Sequence, residues 1–384
     1  MAARILSVAT ALPSHRLEPG TAIQELRRFW PQLARLDGVE SELGTRYVCE
    51  PIEELLKPRG LRDLSTAYLE HARRLAAEAA QGALARSGLR GNDIDLVITV
   101  SCTGYLVPSL DVHLAPQLGF RPDVLRLPIT ELGCSGGAAA IGFAHRHLCA
   151  FPDHKVLVIA VELSSLNFHP ADPSLDNLTA TLVFGDGAGA AVLSGPTPGG
   201  SGLEVLRTAS HLVPDSAGLL GFDLVDDGFR VVLDRRLPRR LAPELQRLVA
   251  EFLGDADPRE LGFLAAHAAG PRIFDTIATA LGASEDSLDA CRQVFKDVGN
   301  TSSAAILFTL ERLLAGFGER PSRGLGIGIG PGISVELLEL AWSPSEDARD
   351  EAGSAGERSS VLGRSVEQAL FPADAVEQHD RVES

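Results

Sequence analysis

Apolar residues recur along this chain in two patterns, short continuous runs and longer amphipathic stretches. Residues 93–102 (DIDLVITVSC) and 155–163 (KVLVIAVEL) are runs rich in valine and isoleucine, which is typical of buried strands. Residues 64–90 form a long alanine-rich amphipathic stretch, and residues 136–148 also have helical character. The first half is therefore predicted to alternate strands and helices around a parallel sheet.

The second half repeats this outline. An apolar run at 260–267 (ELGFLAAH) is followed by helical patterns over about 272–281 and 302–315. Two further strands are predicted at 324–330 and 334–342. The similar order of elements indicates an internal duplication, although the two halves share little sequence.

The chain is predicted to contain two halves and a tail. The turn-forming segment GPTPGGSG separates an N-terminal half, residues 1–200, from a C-terminal half, residues 201–343. Residues 344–384 are rich in Asp, Glu, Ser and Gly and lack apolar periodicity, which predicts a flexible acidic tail. With 384 residues and 45% hydrophobic content, the chain is long enough to form a large core.

Charge and cysteine content exclude several classes of protein. A net charge of −16 argues against a nucleic-acid binder, which needs a local excess of Lys and Arg. The chain has no apolar run long enough to span a membrane and no signal-peptide pattern, so we expect a soluble cytoplasmic protein. Five cysteines at irregular spacing favour reduced thiols, and the histidines lack metal-ligand spacing, so no metal site is predicted.

Three polar residues at the ends of predicted elements are candidates for catalysis. Cys134, in ELGCSGG, precedes a helix of small residues, where the helix N-terminus would favour a thiolate; a buried structural thiol is the alternative. His267 ends an apolar run and would face the ligand-binding edge of a sheet; a satisfied core histidine is the alternative. Asn300 precedes a helix, which it could cap while its amide donates to an oxyanion.

The spacing of Cys134, His267 and Asn300, together with the closing segment GIGPGISVELLEL, resembles that of the chalcone synthase-like type III polyketide synthases. The segments FGDGAGAAVL (184–193) and GPRIFD (270–275) match the family in the same order. The resemblance extends from about residue 4 to residue 342. It implies a thiolase-like α/β fold, in which duplicated βαβαβαββ halves form an αβαβα layered sandwich.

The resemblance also implies a reaction. In that family a Cys–His–Asn triad takes an acyl group from coenzyme A, decarboxylates malonyl-CoA and condenses the resulting carbanion with the bound acyl group. Cys134 would be the nucleophile, His267 and Asn300 would donate to the enolate oxygen, and a thiolate–imidazolium pair of Cys134 and His267 is expected. Malonyl-CoA and a starter acyl-CoA would be the substrates, with no further cofactor. The family forms homodimers, in which the Val107–Pro108 loop would approach the partner's active site.

Positions that shape the substrate cavity follow from the same resemblance. Phe184 matches the family's gatekeeper phenylalanine, with a buried aromatic at a strand end as the alternative. Alignment through Pro238 places the second gatekeeper on Val231, which would widen the gate and favour an aliphatic starter. We then expect cyclisation to a pyrone or to a resorcinol or phloroglucinol-type product. The remaining predicted cavity residues are Ser164, Asn167, Ala180, Phe222, Ser302 and Cys102, for the last of which an ordinary core thiol is the alternative.

The expected coenzyme A contacts are missing at two positions. The family uses basic residues near the start of the chain, and the corresponding positions are Leu36 and Glu40 here. Arg35 is the nearest basic substitute, with a solvated helix charge as the alternative. These departures leave acyl carrier protein thioesters open as alternative substrates.

Three other functions are alternatives to this interpretation. A single-round ketoacyl-carrier-protein synthase of the initiating type shares the triad, but the GPG segment and Phe184 favour the polyketide family. A hydroxymethylglutaryl-CoA synthase would need an early catalytic Glu, for which no convincing motif is present. A non-catalytic thiolase-fold scaffold would be expected to lose a triad member, and none is lost.

Overall fold

The computed structural model describes residues 2–28, 30–31, 43–196, 202–267, 269–318 and 322–344. The strands are β1 (Ala3–Ala11), β2 (His15–Leu17), β3 (Arg46–Val48), β4 (Leu96–Val100), β5 (Leu125–Ile129), β6 (Lys155–Glu162), β7 (Gly187–Ser194), β8 (Gly202–Leu212), β9 (Leu220–Val225), β10 (Gly228–Leu233), β11 (Phe263–Ala266), β12 (Ser322–Gly330) and β13 (Ser334–Ser343). The α-helices are α1 (Pro19–Leu26), α2 (Ile52–Leu55), α3 (Leu61–Ser87), α4 (Leu110–Leu118), α5 (Gly136–Ala150), α6 (Leu175–Val183), α7 (Leu237–Leu253), α8 (Pro271–Leu281), α9 (Asp289–Val298) and α10 (Ala305–Gly316).

The strongly periodic segments fold as their patterns predict. The two valine-rich runs of the first half form β4 and β6, and the glycine-rich and leucine-rich runs near residue 330 form β12 and β13. The alanine-rich stretch forms α3, which ends at Ser87 because Gly88 adopts a left-handed conformation with φ of 71°. These element predictions are confirmed.

A nine-stranded sheet in the order β11-β12-β13-β8-β1-β7-β6-β4-β5 organises the molecule. Its two halves are joined where β1 pairs antiparallel with β8, from Ala3 opposite Val205 to Ile5 opposite Leu203. β4 is parallel to both β5 and β6, and β11 is parallel to β12. The parallel strands β4 and β11 therefore lie in different halves of one continuous sheet.

Helices cover both faces of this sheet and also fill the space between its halves. α5 contacts β4 and β6 of the first half and β12 and β13 of the second, and α10 contacts β1, β7 and β11. α3 and α4 cover the outer face of the first half, while α7 packs on β13 and on α8. The predicted layered α/β sandwich is confirmed, with α5 and α10 as the central layer.

The second half departs from the first in one respect. Five strands of the sheet come from the first half, whereas β8, β11, β12 and β13 come from the second. Between α8 and α10 the described residues form helix α9 and no counterpart of β5, so the predicted strand-for-strand duplication is not complete. The reason is the helical spacing of the buried residues Cys291, Val294, Phe295 and Val298 in α9.

Several predicted features fall outside the described residues. Arg35 lies in the segment 32–42, and the separating turn includes residues 197–201. All but the first residue of the predicted tail also lies outside them. Within the described residues, no helix combines the length and apolar character required to cross a membrane.

Candidate active site

Cys134 lies in a single 3-10 turn, Gly133–Ser135, directly before α5. Gly133 has a φ of 54°, and a Cβ atom there would lie 2.4 Å from Cδ of Pro331, so the turn requires glycine. The thiol is buried, and its Sγ lies 3.3 Å from Oγ of Ser302. Cys134 therefore occupies the N-terminal end of a central helix, as its sequence context predicted, and an acyl group on it would be shielded from bulk water.

Ser302 connects the two thiols of this site. Its Oγ lies 3.3 Å from Sγ of Cys134 and 3.4 Å from Sγ of Cys102. Ser302 has a φ of 49°, a conformation that costs a non-glycine residue about 1–3 kcal/mol. Its backbone N–H donates to Oδ1 of Asn300 over 2.8 Å, which helps to hold the strained backbone in place.

Glu162 is a buried carboxylate behind the thiols, at the end of β6. It accepts hydrogen bonds from Oγ1 of Thr103 over 2.7 Å and from the backbone N–H of Cys102 over 3.1 Å. The hydroxyl of Ser303 also donates to it, and Sγ of Cys102 lies 3.4 Å from Oε1. Burial raises the pKa of Glu162, and these donors oppose that rise. Sequence reasoning missed this residue, although a lone acid inside an apolar run was the available signal.

His267 follows β11 and is buried. Its backbone N–H donates to the carbonyl of Ile327 over 3.1 Å, and its ring Nδ1 accepts from the backbone N–H of Ile329 over 3.4 Å. An imidazole that accepts at Nδ1 carries its proton on Nε2 when it is neutral. His267 can therefore offer an Nε2–H donor to a developing negative charge.

Asn300 is buried between α9 and α10 and is fixed by its backbone. Its N–H donates to the carbonyl of Val183 over 3.0 Å, and its carbonyl accepts from the N–H of Gly185 over 3.1 Å. Oδ1 accepts from Ser302, so the amide nitrogen Nδ2 is the group that Asn300 can present as a donor. Asn300 is not the N-cap residue that the sequence indicated, because Thr301 caps the following 3-10 turn and Ala304 caps α10; its donor role stays a prediction.

Strand β12 brings the two halves of the site together. Gly330 lies so close to the Cys134 turn that a Cβ atom on it would be 2.4 Å from Oγ of Ser135, and one on Gly328 would be 3.3 Å from Cα of Ser135. The same strand supplies the N–H that holds the ring of His267. One glycine-rich strand and the hydrogen bonds of Ser302 thus connect the segments that carry Cys134, His267 and Asn300, whose catalytic roles stay a prediction.

Burial acts against the expected thiolate–imidazolium pair of Cys134 and His267. Burial raises the pKa of Cys134 to about 12, and the negative charge of Glu162 adds to that rise. Burial lowers the pKa of His267 to about 4. Desolvation outweighs the favourable effect of the helix N-terminus because both side chains are buried in the interior. These two pKa shifts oppose a thiolate and an imidazolium in the resting protein, and the pairing of Cys134 with His267 stays a prediction.

The buried imidazole predicts a loss of stability in acid. The unfolded chain binds a proton at His267 near pH 6.5, whereas the folded chain does so only near pH 4. Stability is therefore present above pH 6.5 and is lost as the pH falls to 4, by about 3 kcal/mol from this residue. Urea unfolding of the wild-type protein and of His267→Gln at pH 7 and pH 4 will show a smaller acid loss in the variant. Equal losses would contradict the prediction.

Most of the predicted substrate residues surround one small enclosed cavity. Its volume is about 10 Å³, and its lining residues are Thr103, Ser164, Asn167, Phe168, Ala180, Thr181, Phe184, Phe222 and Val231. Cys102 and Ser302 lie instead beside Cys134. Phe168 was not predicted from the sequence. The structure brings the predicted residues together, and their contact with substrate remains a prediction; we refer to this space as the elongation cavity.

Two elements position the predicted gate residues. Phe184 directly follows α6 and forms a parallel β-bridge with Asn300, which places the predicted gate beside a predicted triad residue. Val231 lies on β10 directly opposite Phe222 on β9. This β9–β10 hairpin was not predicted, although the turn residues before Gly228 indicate one.

Comparison with family models places both halves of the chain in the same group. The model described as "Chalcone and stilbene synthases, N-terminal domain" matches residues 53–198. The model for the C-terminal domain of the same synthases matches residues 204–342.

Individual relatives agree with these matches. A 1,3,6,8-tetrahydroxynaphthalene synthase from Streptomyces coelicolor is 37% identical over 309 residues, covering 79% of this chain and 82% of the relative. One from Streptomyces peucetius is 36% identical over 358 residues, covering 88% of this chain and 93% of the relative. The crystal structure of the Streptomyces coelicolor synthase, described as a bacterial type III polyketide synthase, superimposes with a TM-score of 0.83 at 34% identity. That superposition covers 89% of this chain and 100% of the other.

Proposed function

This chain belongs to the chalcone and stilbene synthase family, the type III polyketide synthases, and from that premise we propose that it extends an acyl group on Cys134 by iterative condensation with malonyl-CoA. The enzyme is then an acyltransferase that performs decarboxylating condensations and cyclises the product. One observation carries the proposal. Ser302 contacts both Cys134 and Asn300, and β12 packs against the turn that carries Cys134 and holds the ring of His267.

Loading begins with attack of the Cys134 sulfur on the thioester carbonyl of the starter. The new carbon–sulfur bond forms as the bond to the coenzyme A sulfur breaks, and the thiol proton leaves with that sulfur. Nε2–H of His267 and the Nδ2 group of Asn300 are the donors for the oxygen that becomes negative. Because burial raises the pKa of Cys134, the thiol proton is lost as the sulfur attacks rather than beforehand.

Extension uses the loss of carbon dioxide instead of a base. When the carboxylate of malonyl-CoA leaves as CO2, its electron pair forms an enolate, whose oxygen the same donors stabilise. The enolate carbon attacks the acyl carbon on Cys134, a carbon–carbon bond forms, and the thiolate leaves and takes up a proton. A neutral His267 suits this step, since a donor is required and no proton has to be removed from carbon.

Val231 supports a proposal for the starter. A valine is smaller than an aromatic side chain at this position of the cavity lining, and this favours an aliphatic starter and a pyrone or a resorcinol or phloroglucinol-type product. Coenzyme A thioesters are proposed as the substrates, with acyl carrier protein thioesters as the alternative. A cytoplasmic location is also proposed, and the free state of all five cysteines supports it.

The product assay tests this function directly. Purified protein is incubated with radiolabelled malonyl-CoA and a panel of short, long and aromatic acyl-CoAs. We expect products with several malonyl-derived units from aliphatic starters. A single extension would favour the initiating ketoacyl synthase, and no product would favour the scaffold. Activity with aromatic starters alone would refute the aliphatic proposal.

An exposed apolar edge supports a homodimer. β5 is the edge strand of the sheet, and Leu125 on it is 51% exposed. The neighbouring loop exposes Tyr105 by 62% and Val107 by 80%. An unpaired edge with exposed apolar side chains is a template for pairing with another chain. We therefore propose that a second copy covers β5 and the Val107 loop.

Light scattering tests the dimer. The wild-type protein should have twice the mass of one chain, and the double variant Val107→Asp, Leu125→Asp should be a folded monomer. Leu212→Asp serves as the control, because Leu212 is 72% exposed but lies on β8, away from this edge. A monomeric wild-type protein, or a dimer unaffected by the double variant, would reject the proposed interface.

A further inference from the structure

Arg46 on β3 is a buried cation outside the predicted triad. Its side chain is only 5% exposed, although an arginine is almost never buried unless it is paired. Among the described residues, Arg46 forms no ion pair with an acidic side chain, and its Nη2 has no hydrogen-bond partner. Burial lowers the pKa of Arg46 to about 10, so the guanidinium is still charged at neutral pH. A buried charge without an acidic partner is costly, and such costs are typical of functional sites.

The guanidinium of Arg46 joins the C-terminal ends of two helices. Its Nε donates to the carbonyl of Leu182 in the last turn of α6 over 3.2 Å, and its Nη1 donates to the carbonyl of Phe295 in α9 over 3.3 Å. The guanidinium carbon also lies 4.7 Å from the centre of the Phe295 ring. The last carbonyls of a helix carry the negative end of its dipole and stabilise a cation. Two helices that are far apart in the sequence therefore share one positive charge.

These two helix ends lead directly into the predicted gate and a predicted triad residue. Phe184 follows α6, Asn300 lies two residues after α9, and the two residues form a parallel β-bridge. In this bridge the N–H of Asn300 donates to the carbonyl of Val183 over 3.0 Å, and the N–H of Gly185 donates to the carbonyl of Asn300 over 3.1 Å. A shift of either helix end would therefore move Asn300 relative to Phe184.

The Arg46 side chain packs against the backbone on both sides of this bridge. A Cβ atom on Gly299 would lie 2.5 Å from Cδ of Arg46, and one on Gly185 would lie 3.4 Å from the same atom. Gly299 has a φ of 81°, a left-handed conformation that favours glycine. Because residue 299 has no side chain, Arg46 can lie directly beside the backbone that leads into Asn300.

The backbone around Arg46 is fixed to the same two segments. The N–H of Thr45 donates to the carbonyl of Lys296 in α9 over 2.9 Å. On the other side, the N–H of Asp186, two residues after the gate, donates to the carbonyl of Tyr47 over 2.8 Å. The guanidinium thus has a fixed position from which it holds both helix ends.

We propose that Arg46 is a positioning residue that holds the Phe184–Asn300 bridge in the geometry required for decarboxylation of malonyl-CoA. The inference rests on the proposed polyketide synthase function and adds a residue to it. Arg46 acts through the backbone that carries Asn300, whose Nδ2 group is the proposed donor to the enolate oxygen. Such donors act over a narrow range of distances, and a misplacement of about 1 Å can cost about 10²-fold in rate.

Two variants of Arg46 should lower the turnover of decarboxylation. Arg46→Met retains a side chain of similar length but removes the charge and the donors, so kcat for release of labelled CO2 from malonyl-CoA should fall by about 100-fold. Arg46→Lys retains the charge but loses the planar fork that reaches both helices, so we expect a loss of about tenfold. KM should stay within about threefold in both variants, because Arg46 is assigned no contact with the substrate. A change confined to KM would contradict the positioning role.

Arg4→Met is the matched control. Arg4 is buried to a similar extent, at 6% exposed, but it lies on β1 opposite Glu204 of β8, with which it forms an ion pair over 3.0 Å. The control should keep kcat within about twofold of wild type. Urea unfolding identifies the variants that remain folded, and Arg46→Lys provides the comparison if Arg46→Met does not fold. An unchanged kcat in the folded Arg46 variants, or an equal loss in Arg4→Met, would overturn the inference.

A double-mutant cycle tests whether Arg46 acts through Asn300. Asn300→Ala removes the amide donor without introducing a charge. If Arg46 serves to place this amide, Arg46→Met should lower kcat by less than about threefold further in the Asn300→Ala background. A further loss of about 100-fold would show that the two residues act independently and would reject the proposed route.

Hydrogen exchange tests the bridge without any catalysis. The N–H groups of Gly185 and Asn300 form the bridge, and we expect their exchange to be about tenfold faster in Arg46→Met and unaltered in Arg4→Met. If this result is obtained with a wild-type protein that makes no polyketide from any starter, the proposed function is rejected and Arg46 is retained as the residue that fixes the bridge. If the wild-type protein is active but Arg46→Met alters neither exchange nor turnover, the inference alone is rejected.

Discussion

Replacing Cys134 by alanine will abolish polyketide formation, with a loss of turnover on the order of 10⁴-fold or more, because the residue that would carry the chain is removed. Cys134 is the thiol at the N-terminal end of a central helix, next to the strand that also holds His267. Mass spectrometry of intact protein after incubation with a starter acyl-CoA gives a direct measurement. The wild-type protein should gain one acyl group and Cys134→Ala none.

Cys102 makes this test sharper, because its thiol contacts the same Ser302 hydroxyl as Cys134 does. Burial and the Glu162 carboxylate raise the pKa of Cys102 well above the ordinary range, and its Sγ contacts Glu162 directly at 3.4 Å, so we expect Cys102 to remain unacylated. Cys102→Ala should therefore still form the acyl-enzyme, as should Cys149→Ala at the far end of α5. Acylation that persists in Cys134→Ala and disappears in Cys102→Ala would reverse the assignment.

Asn300→Asp should lower the rate of malonyl-CoA decarboxylation by about 10²–10³-fold, the range found when one oxyanion donor is removed. The substitution retains the oxygen that accepts from the N–H of Ser302, and hence the local turn, but replaces the Nδ2 donor with an acceptor. Release of labelled carbon dioxide from malonyl-CoA measures this step without requiring chain extension.

A control is needed because Asn300 is buried and its substitution introduces a charge. Asn92→Asp makes the same chemical change at an exposed site and should leave decarboxylation unaltered. Urea unfolding of both variants shows whether the protein remains folded. Full decarboxylation activity in folded Asn300→Asp would exclude the amide as the enolate donor and leave His267 to act alone.

Local pattern and the family resemblance were sufficient for much of the fold. The runs that form β4, β6, β12 and β13 are apolar and bounded by turn residues. Such runs are stable as strands in a sheet that helices cover on both faces. The family resemblance supplied the layered arrangement and the triad. It also named Ser164, Asn167, Ala180, Phe184, Phe222 and Val231, which the structure places around one cavity.

The protonation states of the triad could not be inferred in this way. The sequence context of Cys134 indicates a helix N-terminus, which favours a thiolate, but the pKa depends on how much water the completed fold removes from the group. The same burial makes His267 neutral. The desolvation of each group depends on atoms from both halves of the chain, so its effect on the pKa cannot be read from the neighbouring sequence.

The sequence by itself determined the family, the order of the strongly periodic elements and the identity of the residues proposed for catalysis, because these depend on local composition and on motif spacing. Only the tertiary structure decided that Ser302 contacts two thiols, that Glu162 lies buried behind them, and that Phe168 lines both a very small cavity and a large one. Each of these features requires contacts between segments more than fifty residues apart or a packing void, and packing is settled only when the whole core is assembled.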